Sequence, residues 1–331
     1  MLFSTLTLTI ALLGSTMDKT LIDSINASVK EEVSQQKITF HSTDEYRKYV
    51  DVKIEQQIKS VGLDEPWYSP KRFGNTMIKV MTLDLGKSNS FTSSSGSSSV
   101  RDIILERMPN TILLFTTSTI IISAIGLYVG AFVASKAGSV WDRINSAFAV
   151  FSGSFPIWWI GMLMIFAFAF AYHIFPARST PLTQPSDPSY IIDLLYHMLL
   201  PLITIVLVGF GSWAYFVRFF VVGILNEDYI QAKRTAGISE KKIVYSHALK
   251  NAAPPIVTVI ALSLAASFGG AILSEAVFDW PGMGKLYYDA IGAFDYPIII
   301  GVTYLLTVIF VLTVFAADIV YGYFDPRVKV G

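Results

Sequence analysis

Ser154, Ser212, His173 and His197 are the side chains of this sequence that could in principle assemble a hydrolytic centre. Their spacing does not build one. There is no H-E-x-x-H to hold zinc on one helix face, no G-x-S-G turn to present a serine, and no G-x-G-D to present an aspartate. The chain has no cysteine, which excludes thiol nucleophiles, disulfides and thiolate metal sites. A phosphate loop is missing too. Gly284-Lys285 comes nearest to G-x-x-x-x-G-K-[ST], but position 279 is Asp where glycine is required. No catalytic, cofactor-binding or metal-ligating residues are therefore expected, and no cofactor.

What the residues do offer is apolar length. Of 331 residues, 53% are hydrophobic and only 15% charged, with a mean hydropathy of +0.52. Windows without Asp, Glu, Lys or Arg run over 110–135, 144–177, 194–217, 251–274 and 296–317. Each exceeds the roughly 20 residues an α-helix needs to cross about 30 Å of hydrocarbon. In lipid every backbone N–H and C=O must pair internally, so these windows read as helices. A shorter apolar stretch, 2–14, reads as a truncated first span or a weak anchor.

Basic residues orient the spans. The loop 136–143 carries two and the loop 223–250 carries five: Lys233, Arg234, Lys241, Lys242 and Lys250. The short loops 178–193 and 275–295 hold one each, Arg178 and Lys285. The positive-inside rule puts 223–250 and the C-terminus in the cytoplasm. The segment 18–107 has thirteen Lys and Arg but is too long to obey that rule, and is exported. The expected fold is all-α, a polytopic membrane bundle of about six spans. Its parts are a short first span or anchor (1–17), a mainly helical extracytoplasmic segment (18–107) and a core of five spans (108–331) with a cytoplasmic loop, 223–254.

Within 18–107, Ile22, Ile25, Val29 and Val33 recur at three or four, as do Tyr46, Val50, Ile54, Ile58 and Val61. Both patterns predict amphipathic helices. The Ser/Gly run 88–99 reads as a flexible linker. Asn26-Ala27-Ser28 fits the glycosylation pattern.

The loop after the fourth window is the most informative stretch. Asn226 is positioned to cap a helix that continues from Tyr229 to Ala236, and Gly237 is its natural stop. Ser239 is positioned to cap a second helix reaching about Asn251, and Pro254-Pro255 marks the entry to the next span. Ile243, Val244 and Ala248 share one face of that second helix, with the spacing of a docking stripe. A basic amphipathic pair of this kind either docks on another chain or lies on anionic lipid.

These residues resemble the EAA coupling loop of ABC-transporter permeases of the dipeptide/oligopeptide importer subfamily. Gln231-Ala232-Lys233 followed by Gly237 occupies E-A-A-x-x-x-G, with Gln for Glu and Lys for Ala. His247-Ala248-Leu249-Lys250-Asn251-Ala252 with Pro255 is similar to H-A-L-R-N-A-x-x-P, although Ala253-Pro254 departs from the usual apolar pair. Glu275-Ala276-Val277-Phe278-Asp279-Trp280-Pro281-Gly282-Met283-Gly284 resembles the outer E-x-V-F-x-W-P-G-x-G stretch. Gly138 to Arg143, the stretches around Pro66, Gly86 and Pro109, and Asp325-Pro326-Arg327 also fit.

The resemblance implies a plasma-membrane permease subunit without its own ATPase. It implies a related second permease, two cytoplasmic ATPases and an extracytoplasmic solute-binding protein as partners, with a peptide-like solute. No nucleic-acid partner is expected. The coupling residues it implies are Tyr229, Gln231, Ala232, Gly237, Ile243, Val244, His247, Ala248, Asn251 and Pro255. Glu275, Asp279 and Trp280 fall at the outer mouth, where the two acids either attract a cationic amino terminus or face solvent. Arg218 lies at a cytoplasmic end, where snorkelling accounts for it. The alternative is an ion-coupled secondary transporter. It calls for paired ionisable groups in mid-span, and the span centres here carry almost none.

Overall fold

In a computed structural model the described residues are 4, 7, 18, 19, 22, 23, 25–34, 42–60, 63–66, 68–88 and 90–324. The named helices are α1 (Thr43–Ser60), α2 (Pro70–Met81), α3 (Val100–Ala134), α4 (Val140–Gly153), α5 (Ile157–Met164, continued by a π-helical stretch Ile165–Ala171), α6 (Tyr190–Leu225), α7 (Asp228–Thr235), α8 (Glu240–Ser267), α9 (Ile272–Phe278), α10 (Met283–Gly292) and α11 (Tyr296–Phe324). The chain divides into two compact units, 1–103 with 293–307, and 104–292 with 308–331.

In the first unit the two predicted stripes meet. Ile25, Val29 and Val33 from the helical stretch 25–34 pack with Val50 of α1 and with Leu63, and Ile22, Tyr46, Ile54 and Ile58 border them. Pro70 opens α2, where its missing N–H leaves nothing unpaired. The Ser/Gly run is not a free spacer. Ser88 N–H donates to the Ser98 carbonyl at 2.8 Å, and Ser93 N–H to Ser97 at 2.9 Å. The buried Asp295 carboxylate accepts from Ser88 Oγ at 2.7 Å and from Ser90 N–H at 2.9 Å.

Along the apolar windows, length and hydropathy do what the sequence predicts. Among the described residues, α3, α6, α8 and the α11 stretch Tyr296–Ala316 are each long and apolar enough to span a membrane. The window 144–177 becomes α4 and α5, bent by 97° at Gly153–Pro156. Pro156 has no N–H to continue a helix, and its extended backbone (ψ 141°) starts α5 afresh. That makes four spans, or five with the bent pair, while nearly all of the expected span at 2–14 lies outside the described residues. Ile120 and Tyr128 of α3, and Phe310, Leu312 and Phe315 of α11, are exposed, as lipid-facing side chains must be. α3 and α6 approach closely at Gly130. A Cβ there would stand 2.6 Å from the Ala214 carbonyl and 2.7 Å from Val217 Cβ, so only glycine fits.

Candidate functional site

The elbow between α6 and α8 is built by local rules. Asn226 ends α6 instead of starting α7, correcting the expected cap; Glu227, in extended conformation (ψ 145°), precedes Asp228. At the other end of α7, Gly237 takes φ +78°. Its N–H donates to the Arg234 carbonyl at 3.0 Å, and Ile238 N–H reaches the Lys233 carbonyl at 3.2 Å. This paired closure is a Schellman stop, and it requires a left-handed residue at 237. Ser239 stands at the head of the next helix, as expected, but its side chain makes no cap bond.

α8 is one continuous helix from Glu240 into the span, not a short helix broken before Pro254-Pro255. Both prolines fall in the first turns of its Leu249–Ser267 stretch. Its early part, Ile243–Ala248, is π-helical. Ile243, Val244 and Ala248 lie on its inward side. All three are buried against Ala131, Ala134, Val217, Val221, Leu225 and Ile230. The expected docking stripe is thus the elbow's own seat on the spans. Facing out are Tyr229, Gln231, Ala232, Gly237, Tyr245 and Asn251; His247 and Pro255 are half-buried.

Polar contacts brace the two arms. Lys233 Nζ lies 2.9 Å from His247 Nδ1 and 5.7 Å from the Tyr229 ring centroid. Asn251 Nδ2 donates to the Tyr229 hydroxyl at 2.5 Å. An ammonium can only donate, so His247 is neutral with its proton on Nε2, which is buried without a partner among the described residues.

Arg218 does not snorkel, as the sequence suggested. Its guanidinium forks onto Asp142, Nε–Oδ1 at 2.5 Å and Nη2–Oδ2 at 2.7 Å. Asp142 is almost fully buried and also accepts from Gly138 N–H at 2.7 Å. The pair ties the start of α4 to the end of α6. Ser139 caps the same helix start, its Oγ accepting from Asp142 N–H at 3.4 Å.

At the opposite end of α6, some 54 Å away for 36 residues of helix, the acids of the outer stretch part company. Glu275 is fully buried. It accepts from Thr111 Oγ1 at 3.1 Å, Gly284 N–H at 2.8 Å and Lys285 N–H at 3.2 Å, the last two at the N-terminus of α10. Burial pushes its carboxyl up to about 7 against these donors. Trp280 is buried as well, its indole N–H donating to the Asn110 carbonyl at 3.0 Å. Both are inward braces in this chain. Asp279 instead lies in the left-handed region (φ +58°) and lines an open cavity of about 460 Å3 with Arg178, Thr180, Leu182 and His197.

The architecture is that of a multi-pass helical membrane protein: apolar spans, an ordered basic elbow at one end and an open cavity with a few polar side chains at the other. Residues 126–330 match the family described as binding-protein-dependent transport system inner membrane component. The chain belongs to that family. It is 30% identical over 278 residues to the oligopeptide transport system permease protein AppB of Bacillus subtilis (strain 168), covering 83% of this chain and 84% of that one. Against the dipeptide transport system permease protein DppB of Escherichia coli (strain K12) it is 30% identical over 293 residues, with the same coverage. The di/tripeptide transport system permease protein DppB of Pseudomonas aeruginosa (strain UCBPP-PA14) is 29% identical over 290 residues, again at 83% and 84%.

Proposed function

We propose that this chain passes peptide-like solute through the cytoplasmic membrane as one of a pair of related permeases, with two ATPases on the inner face and a solute-binding protein outside. The chain lacks a phosphate loop, so energy arrives from another subunit. The elbow carries the reading. Its inner face is continuous with the apolar core of α6 and α8, and its outer face presents Tyr229, Gln231 and Tyr245 to a partner. A push on α7 is therefore delivered directly to two spans, which is how a motor whose contacts differ between two states biases a gate. The elbow and C-terminus are cytoplasmic in this reading, and segment 18–107 is external. The names of the relatives above, oligopeptide and dipeptide permeases, support the solute class.

The test is reconstitution. Proteoliposomes holding both permeases and both ATPases, with binding protein and ATP, are expected to accumulate labelled dipeptide. Accumulation that persists without the ATPases, or that a protonophore abolishes while ATP is present, overturns the proposal in favour of ion coupling.

A further inference from the structure

The cavity at the N-terminal end of α6 is not explained by coupling. At about 460 Å3 it has the size of a site for a small organic molecule. Arg178 lines it and makes no hydrogen bond or ion pair with any described residue. The loop that carries Arg178 is nevertheless fixed. Ser179 N–H donates to the Phe278 carbonyl at 2.8 Å, and Thr180 Oγ1 donates to the Asp279 carbonyl at 2.6 Å. Further on, the Asp193 carboxylate accepts from Leu182 N–H at 2.7 Å and Thr183 N–H at 2.9 Å. A guanidinium with unused donors on a tied loop is set up for a planar anion.

Two further polar groups line the same cavity. His197 is nearly buried, and its Nδ1 stands 2.9 Å from both the carbonyl and the carboxylate of Asp193. With Nδ1 held by Asp193, Nε2 is the ring nitrogen left for another partner. Asp279 adds a carboxylate, steadied by Lys285 Nζ at 3.2 Å and by Thr180 Oγ1 at 3.1 Å. Donor and acceptors lie on the wall of one cavity, a pattern that suits a molecule carrying both an anionic and a protonated end.

We infer that this cavity binds the carboxylate-bearing end of a small zwitterionic solute, with the carboxylate on Arg178 and an N–H of the same molecule on Asp279 or His197. The inference rests on the importer reading, to which it adds an entry site. Concavity and size favour a small molecule over the lip of a docked protein.

The test uses the full chain in nanodiscs. Saturation-transfer NMR follows alanyl-alanine and its C-terminal amide against wild type, R178Q and R178K. Alanyl-alanine is expected to bind saturably, and R178Q to weaken it on the order of 10- to 100-fold, the size of a charge-assisted hydrogen bond. R178K should fall between, because an ammonium lacks the fork. The amide should bind weakly and ignore R178Q. Because Arg178 has no partner among the described residues, R178Q should melt with wild type, so a fold defect is separable. No saturable binding up to tens of millimolar overturns the inference. So does equal weakening of acid and amide, or an R178Q effect confined to affinity for the external binding protein. ATP-driven uptake by the wild-type assembly is measured alongside. Its absence with carboxylate binding intact would refute the importer reading and leave the site standing.

Discussion

Two buried acids, Asp142 and Glu275, show how differently one side-chain type behaves. Asp142 is held by a guanidinium that matches both of its oxygens. Removing Arg218 strands a charge, and such losses run to roughly 3–5 kcal/mol. Arg218→Ala is therefore expected to lower yield and thermal midpoint in detergent sharply, and adding Asp142→Ala to restore part of both. Strict additivity in that double-mutant cycle would mean the pair is not coupled. Glu275 has no guanidinium in its set; backbone N–H groups and Thr111 hold it. Its folded pKa, about 7, lies above the ordinary 4.5. The folded chain then binds more protons than the unfolded chain between those values, so this group's stabilisation is complete below the lower one and is lost as pH rises through the higher. The melting temperature should drop by a few degrees between pH 5 and 8, and Glu275→Gln should remove that component. A variant with the wild-type slope would assign the pH dependence elsewhere.

At the scale of elements, the elbow is a lever because both of its joints are defined. Gly237 closes α7 in a conformation that costs an L-residue roughly 1–2 kcal/mol, yet nothing stands within 4 Å of a Cβ there. Gly237→Val should thus be tolerated by the fold and distort only the angle between α7 and α8. The expected outcome is near-normal membrane insertion with ATP-driven uptake reduced about tenfold or more, while Gly237→Asn, which accepts the left-handed region, stays close to wild type. Normal uptake by the valine variant would argue that α7 is not the lever. The other joint, the π-helical stretch 243–248, is a kind of irregularity often found where helices carry function. It carries Ile243, Val244 and Ala248, which are buried against α6.

For the whole molecule, the two compact units have different origins in the sequence. The stripes of 25–34 and α1 were readable because period-3.6 patterns report which face is buried. The spans were readable from length alone, because lipid leaves a backbone few choices. Charge-free windows gave their order, and Gly237 announced its conformation through its lack of a Cβ. The bend at Gly153–Pro156 was visible as a break; its 97° angle was not. Serine and glycine content suggested a spacer at 88–99, because composition cannot foresee that Asp295 will supply an acceptor 207 residues away from Ser88.

Sequence by itself determined the class of the protein, the placement of its helices and the family pattern at 231–255 and 275–284, since these follow from local backbone preference and from the solvent a segment tolerates. Only the tertiary structure decided which way each polar or apolar group on those helices turns. It put Ile243, Val244 and Ala248 against the spans, closed Glu275 among backbone donors, joined Arg218 to Asp142, and gathered Arg178, His197 and Asp279 around one cavity. Those outcomes depend on contacts between residues tens to hundreds of positions apart. Such pairings arise from packing, and no periodicity along one chain encodes them.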